Sequence, residues 1–322
     1  MHRRTLIKAA TAAVASAGAP AVWASTDEAP LRILIPYAAG GLTDLLARLI
    51  TDSMGATLKR TVLCENKPGA AGLIATSSLL SQGADGSQVM LVNSGFTSLP
   101  QLSLNAKYDP LKDFKPVSQV CTGASMLMVH HEVPAKTLQE FVAWAKSRPE
   151  GITAANAGAG SSGHISTMLL AKRAGLNITH VPYKGSAETA NALISGQVQM
   201  QLTVTTSALN DQVKAGKVRL LGVTSATPSR LTPELPPIAT VAPGFRALGW
   251  YGLVAHGGVP DAKIQRYSDA IEKALKEPGV EEKYASIFME MEHKPAPVFR
   301  AEMERSVAYW KQVTTELNLK RV

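Results

Sequence analysis

The chain has 322 residues, of which 45% are hydrophobic, 18% charged and 5% aromatic, with a formal net charge of +8. This is an ordinary soluble globular composition, long enough for two domains with their own cores. Few aromatics and no run of five or more Lys/Arg exclude a nucleic-acid surface.

The N-terminus reads as a targeting segment. Arg3 and Arg4 precede Thr5-Leu6-Ile7-Lys8 and an alanine-rich apolar run to Ala24. Val22-Trp23-Ala24 suits signal-peptidase cleavage, and the run is too short and alanine-rich to span a membrane. Residues 1–24 are therefore expected to be a signal peptide for periplasmic export. The arginine pair resembles a twin-arginine signal, with an ordinary secretory signal as the alternative. The segment carries Arg3, Arg4 and Lys8 and no acid, so without it the net charge of +8 falls to +5. A mild basic excess of this kind suits small anionic ligands.

From residue 31 to about 91, strands and helices alternate. Residues 31–37 form an apolar strand, followed by a helix with Leu45, Leu46, Leu49, Ile50 and Leu58 on one side. A second strand spans 61–65, Gly69-Ala-Ala-Gly72 opens a helix through residue 80, and a third strand spans 88–92. This spacing predicts parallel β-α-β units. Residues 93–116, with Pro100, Pro110 and Pro116, read as irregular. Strands follow at 117–121 and 126–130. Thr137-Leu-Gln-Glu140 is a capping box that opens a helix with Phe141, Val142 and Ala145. A second alternating region has strands at 152–157, 179–183, 200–204 and 218–224, with helices at 164–174 and 186–194. Prolines at 228, 233, 236, 237 and 243 mark an irregular stretch. Two helical patterns close the chain, one on Ile264, Tyr267, Ile271 and Leu275, the other on Phe299, Met303, Val307 and Trp310. Cys64 and Cys121 sit in apolar, strand-like surroundings, where a cysteine packs as a small hydrophobe, and no disulfide is expected of them.

Two glycine-rich turns carry the functional signal: Pro36-Tyr-Ala-Ala-Gly-Gly-Leu-Thr-Asp44 and Asn156-Ala-Gly-Ala-Gly-Ser-Ser-Gly-His164. Each lies between a strand and a helix. Bare backbone N–H groups and a positive helix end then converge on one point, which is an anion site. Two such turns in different halves imply a clamp on a small carboxylate. Ala39, Gly40, Gly41, Gly160, Ser161 and Ser162 are candidate ligand contacts. Asp44 supports the first helical turn or orients the loop amides, and His164 contacts ligand or loop. Gly158-x-Gly160-x-x-Gly163 also fits a dinucleotide fingerprint in letters and context. The next strand, however, ends Val181-Pro182-Tyr183-Lys184-Gly185, with a lysine where the ribose-binding acid belongs. No cofactor is expected. His130-His131-Glu132 lacks the spacing of a zinc helix, Gly160-Ser-Ser-Gly163 is not a nucleophile elbow, and no P-loop lysine follows either turn, so neither metal nor catalytic residues are assigned.

The order of these motifs carries a resemblance. Pro36-Tyr-Ala-Ala-Gly-Gly-x-x-Asp44, Asn66-Lys-Pro-Gly-Ala-Ala-Gly72, Gly158-x-Gly-Ser-Ser-x-His164, His180-Val-Pro-Tyr-Lys-Gly185, Gly216-Lys-Val-Arg-Leu-Leu-Gly-Val-Thr-Ser225 and Trp250-Tyr-Gly-Leu-Val-Ala255 together resemble the tripartite tricarboxylate transporter receptors, or Bug receptors, over nearly the whole mature chain. The resemblance implies an α/β, two-lobed periplasmic binding protein of the Venus-flytrap type, each lobe a Rossmann-like parallel-sheet sandwich. It implies a first lobe of about 25–122 plus 227–322 and a second of 123–226, with hinges near 118–125 and 221–228. An organic acid would lie between the lobes, held by loops 37–44 and 159–164. Tyr37, Asn93, Ser94, Tyr183, Thr203 and Thr205 are candidates for the rest of the pocket. The partner implied is a membrane permease, with a signalling partner as the alternative; a nicotinamide-dependent enzyme is a weaker one. A monomer is expected. Three positions depart from the family pattern: Met168 where an acid is frequent, Val198-Gln199 for Val-Asp, and Ala84-Asp85-Gly86-Ser87 for Pro-Asp-Gly-Tyr.

Overall fold

The computed structural model describes residues 29–205, 207–319 and 321, so the expected signal segment lies outside the described residues. The first unit runs β1 (Leu31–Ile35), α1 (Leu42–Leu58), β2 (Val62–Asn66), a 3-10 turn (Ala70–Gly72), α2 (Leu73–Gln82), β3 (Gln88–Asn93), α3 (Gly95–Leu102) and β4 (Phe114–Ala124). The second runs β5 (Met126–His130), α4 (Leu138–Lys146), β6 (Ile152–Asn156), α5 (Ser162–Ala174), β7 (Ile178–Pro182), α6 (Ser186–Ile194), β8 (Met200–Thr203), α7 (Ser207–Lys214) and β9 (Val218–Val223). The return comprises β10 (Leu248–His256), α8 (Asp261–Leu275), α9 (Val280–Ala285), β11 (Glu290–Pro295) and α10 (Ala296–Glu316).

These strands form two sheets, ordered β11-β4-β10-β3-β1-β2 and β7-β6-β8-β5-β9. The strands joined by helical crossovers are parallel, as the alternation predicts: β2, β1 and β3 in one sheet, β7, β6 and β8 in the other. Both sheets are nevertheless mixed rather than wholly parallel. β4 leaves the first sheet and β10 returns to it, and these two pair antiparallel. β5 brings the chain into the second sheet and pairs antiparallel with both β8 and β9. The chain crosses from β4 to β5 with only Ser125 between them and returns from β9 to β10 through residues 224–247, so no α-helical crossover sets these strands parallel to their partners.

Each sheet is covered on both faces. In the first, Leu46, Ile50 and Met54 of α1 meet Ile264, Tyr267 and Ile271 of α8 in one core. On the other face Leu79 of α2, Phe96 and Leu99 of α3, and Phe299 and Met303 of α10 form a second. Around the second sheet, Leu138 and Phe141 pack with Ile165 and Leu169, joined by Ile238 and Phe245 from the proline-rich stretch and by Trp310 and Val313 of α10. α10 therefore begins in a core of the first sheet and ends in a core of the second.

The region expected to be irregular, 93–116, contains α3 with Pro100 inside it. Proline removes the N–H that would bond the carbonyl four residues back. That carbonyl belongs to Phe96, and the Tyr108 hydroxyl donates to it instead at 2.8 Å. The capping box is present as predicted: the Thr137 side chain accepts from the Glu140 N–H at 3.1 Å. Cys64 and Cys121 are free thiols.

Candidate functional site

The carboxyl ends of the parallel strands in both sheets open onto one cleft, the position where open α/β sheets take their ligands. Its volume, open solvent at the mouth included, is about 780 Å³. The first sheet contributes Tyr37, Asn93 and Ser94, and the second contributes Asn156, Ser162 and Thr203. Four helices begin at this wall, with Leu42 of α1, Ser94 at the residue before α3, Ser162 of α5 and Ser186 of α6. Among the described residues that line it, none carries a charged side chain.

The first glycine turn is held from behind. Asp44 is 5% exposed. Its carboxylate accepts from the Gly40 N–H at 3.0 Å, from the Asn66 amide at 3.0 Å and from the Arg48 Nε at 3.0 Å. Asn66 also donates to the Tyr37 carbonyl at 3.1 Å. Burial works to raise the Asp44 pKa, but the Arg48 guanidinium, the Gly40 N–H and the Asn66 amide outweigh it and hold the carboxyl below its usual value. Asp44 therefore orients the loop and does not line the cleft. Gly40 has a φ of +77°, the left-handed conformation that glycine adopts without strain.

The second turn is built on the same plan. Asn156 Oδ1 accepts from the Gly158 N–H at 3.1 Å, and His164 Nδ1 accepts from the Gly160 N–H at 3.0 Å. This bond requires an unprotonated Nδ1, hence a neutral imidazole that carries its hydrogen on Nε2. Burial, with the nearby His180 ring 4.6 Å away, lowers the His164 pKa to about 4. Ser161 caps α5 by accepting from the His164 N–H at 3.4 Å. His164, like Asp44, stands behind its loop.

The two halves touch across the cleft rim. The Leu42 N–H, the first of α1, donates to Ser186 Oγ of α6 at 2.9 Å. The Ser98 hydroxyl of α3 donates to the Gly160 carbonyl at 3.4 Å. A Cβ at Gly41 would meet Ser186 Oγ at 2.8 Å, and one at Gly160 would meet Leu99 Cδ1 at 3.0 Å. This is a closed arrangement, in which glycine admits the opposite half.

Of the residues singled out in the sequence, Tyr37, Asn93, Ser94, Ser161, Ser162 and Thr203 line the cleft. Ala39, Gly40, Gly41 and Gly160 belong to the turns but do not line it. Tyr183 lies at a separate depression with Lys184 and Pro36. Thr205 is fully buried, its hydroxyl donating to Asn210 Oδ1 at 2.8 Å. Sequence reading missed Ser186, Tyr251 and Trp310, all of which line the cleft. Ser186 was legible as the first residue after the Tyr183-Lys-Gly185 turn. Trp310 was not: it comes from the last helix and donates its indole N–H to the Ser94 carbonyl at 3.1 Å. Burial raises the pKa of Tyr37 and of Tyr251, so both phenols stay neutral and able to donate.

Two α/β lobes that close over a cleft fed by helix starts from both sides define a periplasmic solute-binding protein. More narrowly, the chain belongs to the tripartite tricarboxylate transporter family receptors, whose model matches residues 46–319. A curated relative from Cupriavidus necator, the UPF0065 protein in the gbd 5' region, is 33% identical over 290 residues, 89% of this chain and 88% of that one. Among solved structures, the periplasmic binding protein BugD is 28% identical with a TM-score of 0.86, covering 92% of this chain and 99% of its own. Rpa4515 of R. palustris with adipate is 27% identical with a TM-score of 0.85, over 92% and 99%. MatC from Rhodopseudomonas palustris with bound malate is 26% identical with a TM-score of 0.82, over 88% and 98%.

Proposed function

We propose that this receptor captures a small organic carboxylate between its lobes in the periplasm and delivers it to a tripartite tricarboxylate-type permease. The observation that carries this reading is a cleft with four helix starts, abundant hydroxyls and no charged side chain among its described lining residues. Each helix start favours an anion by about 0.3–1 kcal/mol. The amides and hydroxyls replace the water around the carboxylate without introducing a fixed counter-charge. The adipate and malate held by two related structures support dicarboxylates as the first class to test.

The lobes are assigned as 25–122 with 227–322, and 123–226, with hinges near 118–125 and 221–228. The direct passage from β4 to β5 and the end of β9 at Val223 support those crossings. Ser161 and Ser162 of the second turn face the anion, while Ala39 to Gly41 and Gly160 frame the rim around it, with Asp44 and His164 fixing their geometry. A ligand that touches both lobes favours the closed state by its differential affinity. The protein acts as a monomer, reached by export on the residue 1–24 signal of twin-arginine type.

A thermal-shift screen of residues 25–322 against carboxylic acids and NAD tests the reading. A native-state ligand raises the melting temperature in proportion to RT ln(1 + [L]/Kd). Stabilisation by a class of carboxylates and not by NAD is expected; stabilisation by NAD alone overturns the proposal.

A further inference from the structure

The cleft carries more hydroxyls than anion capture requires. Backbone N–H groups at the helix starts already supply donors to a carboxylate. Beyond them, Thr43 and Ser94 on the first sheet's side, Ser125 at the crossing, and Ser162, Ser166 and Thr203 on the second sheet's side line the cleft. Their side-chain hydroxyls have no hydrogen-bond partner among the described residues. Ser125, Ser162 and Thr203 are half-buried at the cleft surface, while Thr43, Ser94 and Ser166 are buried in its walls. Ser162 and Ser166 stand one turn apart on the same face of α5, so their hydroxyls follow one another along that wall. Thr203, the last residue of β8, adds another on the same side.

A hydroxyl both donates and accepts. A carboxylate answers only its donor half, and a methylene answers neither. A ligand with a bare hydrocarbon body would strip water from these groups and return no hydrogen bond, which loses affinity. Ligand hydroxyls donate and accept in turn, as water does. An ammonium in their place brings a charge to be neutralised, and no carboxylate side chain lines the cleft among the described residues. Asp44 is already engaged behind its loop by Gly40, Asn66 and Arg48.

We infer that the ligand is a sugar acid, a carboxylate with hydroxyls along its carbon chain, rather than a bare dicarboxylate or an amino acid. Its hydroxyls bridge Thr43 and Ser94 on one wall to Ser162, Ser166 and Thr203 on the other. This rests on the carboxylate reading of the cleft and narrows it to a class. Because the lining hydroxyls come from both sides, a ligand held between them ties the two halves together, and its polyol body adds to the preference for the closed form.

Isothermal titration calorimetry on residues 25–322 with two matched pairs tests this: galactarate against adipate, and tartrate against succinate. The members of each pair share their chain length and both carboxylates and differ only in hydroxyls. Aspartate serves as the aminated counterpart of succinate. Thr203→Val and Ser162→Ala each remove one lining hydroxyl at nearly constant shape and are titrated beside the parent, with circular dichroism to verify their folds. At least one hydroxylated acid should bind about tenfold or more tighter than its bare partner. Each variant should cut that ratio by about threefold, through weaker binding of the hydroxylated acid alone. The inference is overturned by bare acids that bind as tightly as their hydroxylated partners, by a ratio unchanged in both variants, by aspartate binding tighter than tartrate, or by no binding of any of the five. In the last case the carboxylate reading survives if another acid of the thermal-shift panel stabilises the protein, and falls as well if none does.

Discussion

Gly41→Val separates closure from folding. Gly41 has φ −83° and ψ 174°, extended backbone that valine adopts without strain. Its new Cβ would meet Ser186 Oγ of the other lobe at 2.8 Å, inside any normal contact. Ser186 must then give way and surrender the 2.9 Å bond from the Leu42 N–H. The lost hydrogen bond costs about 0.5–1.5 kcal/mol. Crowding a packed contact adds about 1–3 kcal/mol. Their sum, about 1.5–4.5 kcal/mol, falls on the closed state alone and weakens ligand binding by about 10- to 2,000-fold. Gly40→Val is the control, because Gly40 has φ +77° with nothing within 4 Å of a new Cβ. Its left-handed backbone strain, about 1–2 kcal/mol, is carried by open and closed forms alike. Calorimetric titration with the carboxylate giving the largest thermal shift, beside melting curves of the unliganded variants, reads both quantities. Gly41→Val should lose affinity at near-parent stability, and Gly40→Val should lose stability with a smaller change in affinity. A Gly41→Val protein that binds within twofold of the parent would refute the assignment of this contact to closure.

Asp44→Asn should destabilise the protein by about 1–3 kcal/mol at neutral pH, since charged hydrogen bonds to Gly40, Asn66 and Arg48 are weakened. Asp44 titrates below its usual value in the fold, so its contribution is present above the unfolded pKa of about 3.9 and fades as pH falls through the folded value. Urea unfolding should show the gap between parent and variant closing in acid; a constant gap down to about pH 2 contradicts this. His164 acts in the same sense, in a higher pH window. Its folded pKa of about 4 lies below the unfolded value of about 6.5, so the unfolded chain binds the extra proton between them and stability falls as pH drops across that window. His164→Gln should flatten the stability slope there, with His130, His180 and His293, also lowered by burial, keeping part of it. An unchanged slope by chemical denaturation sinks the assignment. Trp310→Phe removes the N–H donated to Ser94 and should cost about 0.5–1.5 kcal/mol of stability; a melting temperature equal to the parent's argues against that bond.

Much of the architecture was legible because it rests on local rules. The alternation of apolar runs and helical stripes specified the parallel units, and Thr137 with Glu140 marked a helix start by side-chain chemistry alone. The glycine turns were visible because few residues other than glycine accept φ near +80°, as Gly40 and Gly160 do. The elements that were not anticipated share a cause. α3 holds a proline whose orphaned carbonyl is met by Tyr108, twelve residues away. β10 and β11 gain their definition from pairing with β4, far back in the chain.

The cleft divides along the same line. Sequence alone determined that two glycine turns precede helices, that a histidine and an acid stand beside them, and that a family pattern unites them. Only the tertiary structure decided which atoms face the ligand. Asp44 and His164 turned out to brace the loops, because a loop amide was the nearest partner for each polar side chain buried behind it. Ser186 became the cap of a helix in the other lobe, and Trp310 of the last helix became a cleft wall. Hydrogen bonds and packing act over a few ångströms of space, and the folded chain places residues 144 and 216 positions apart within that range.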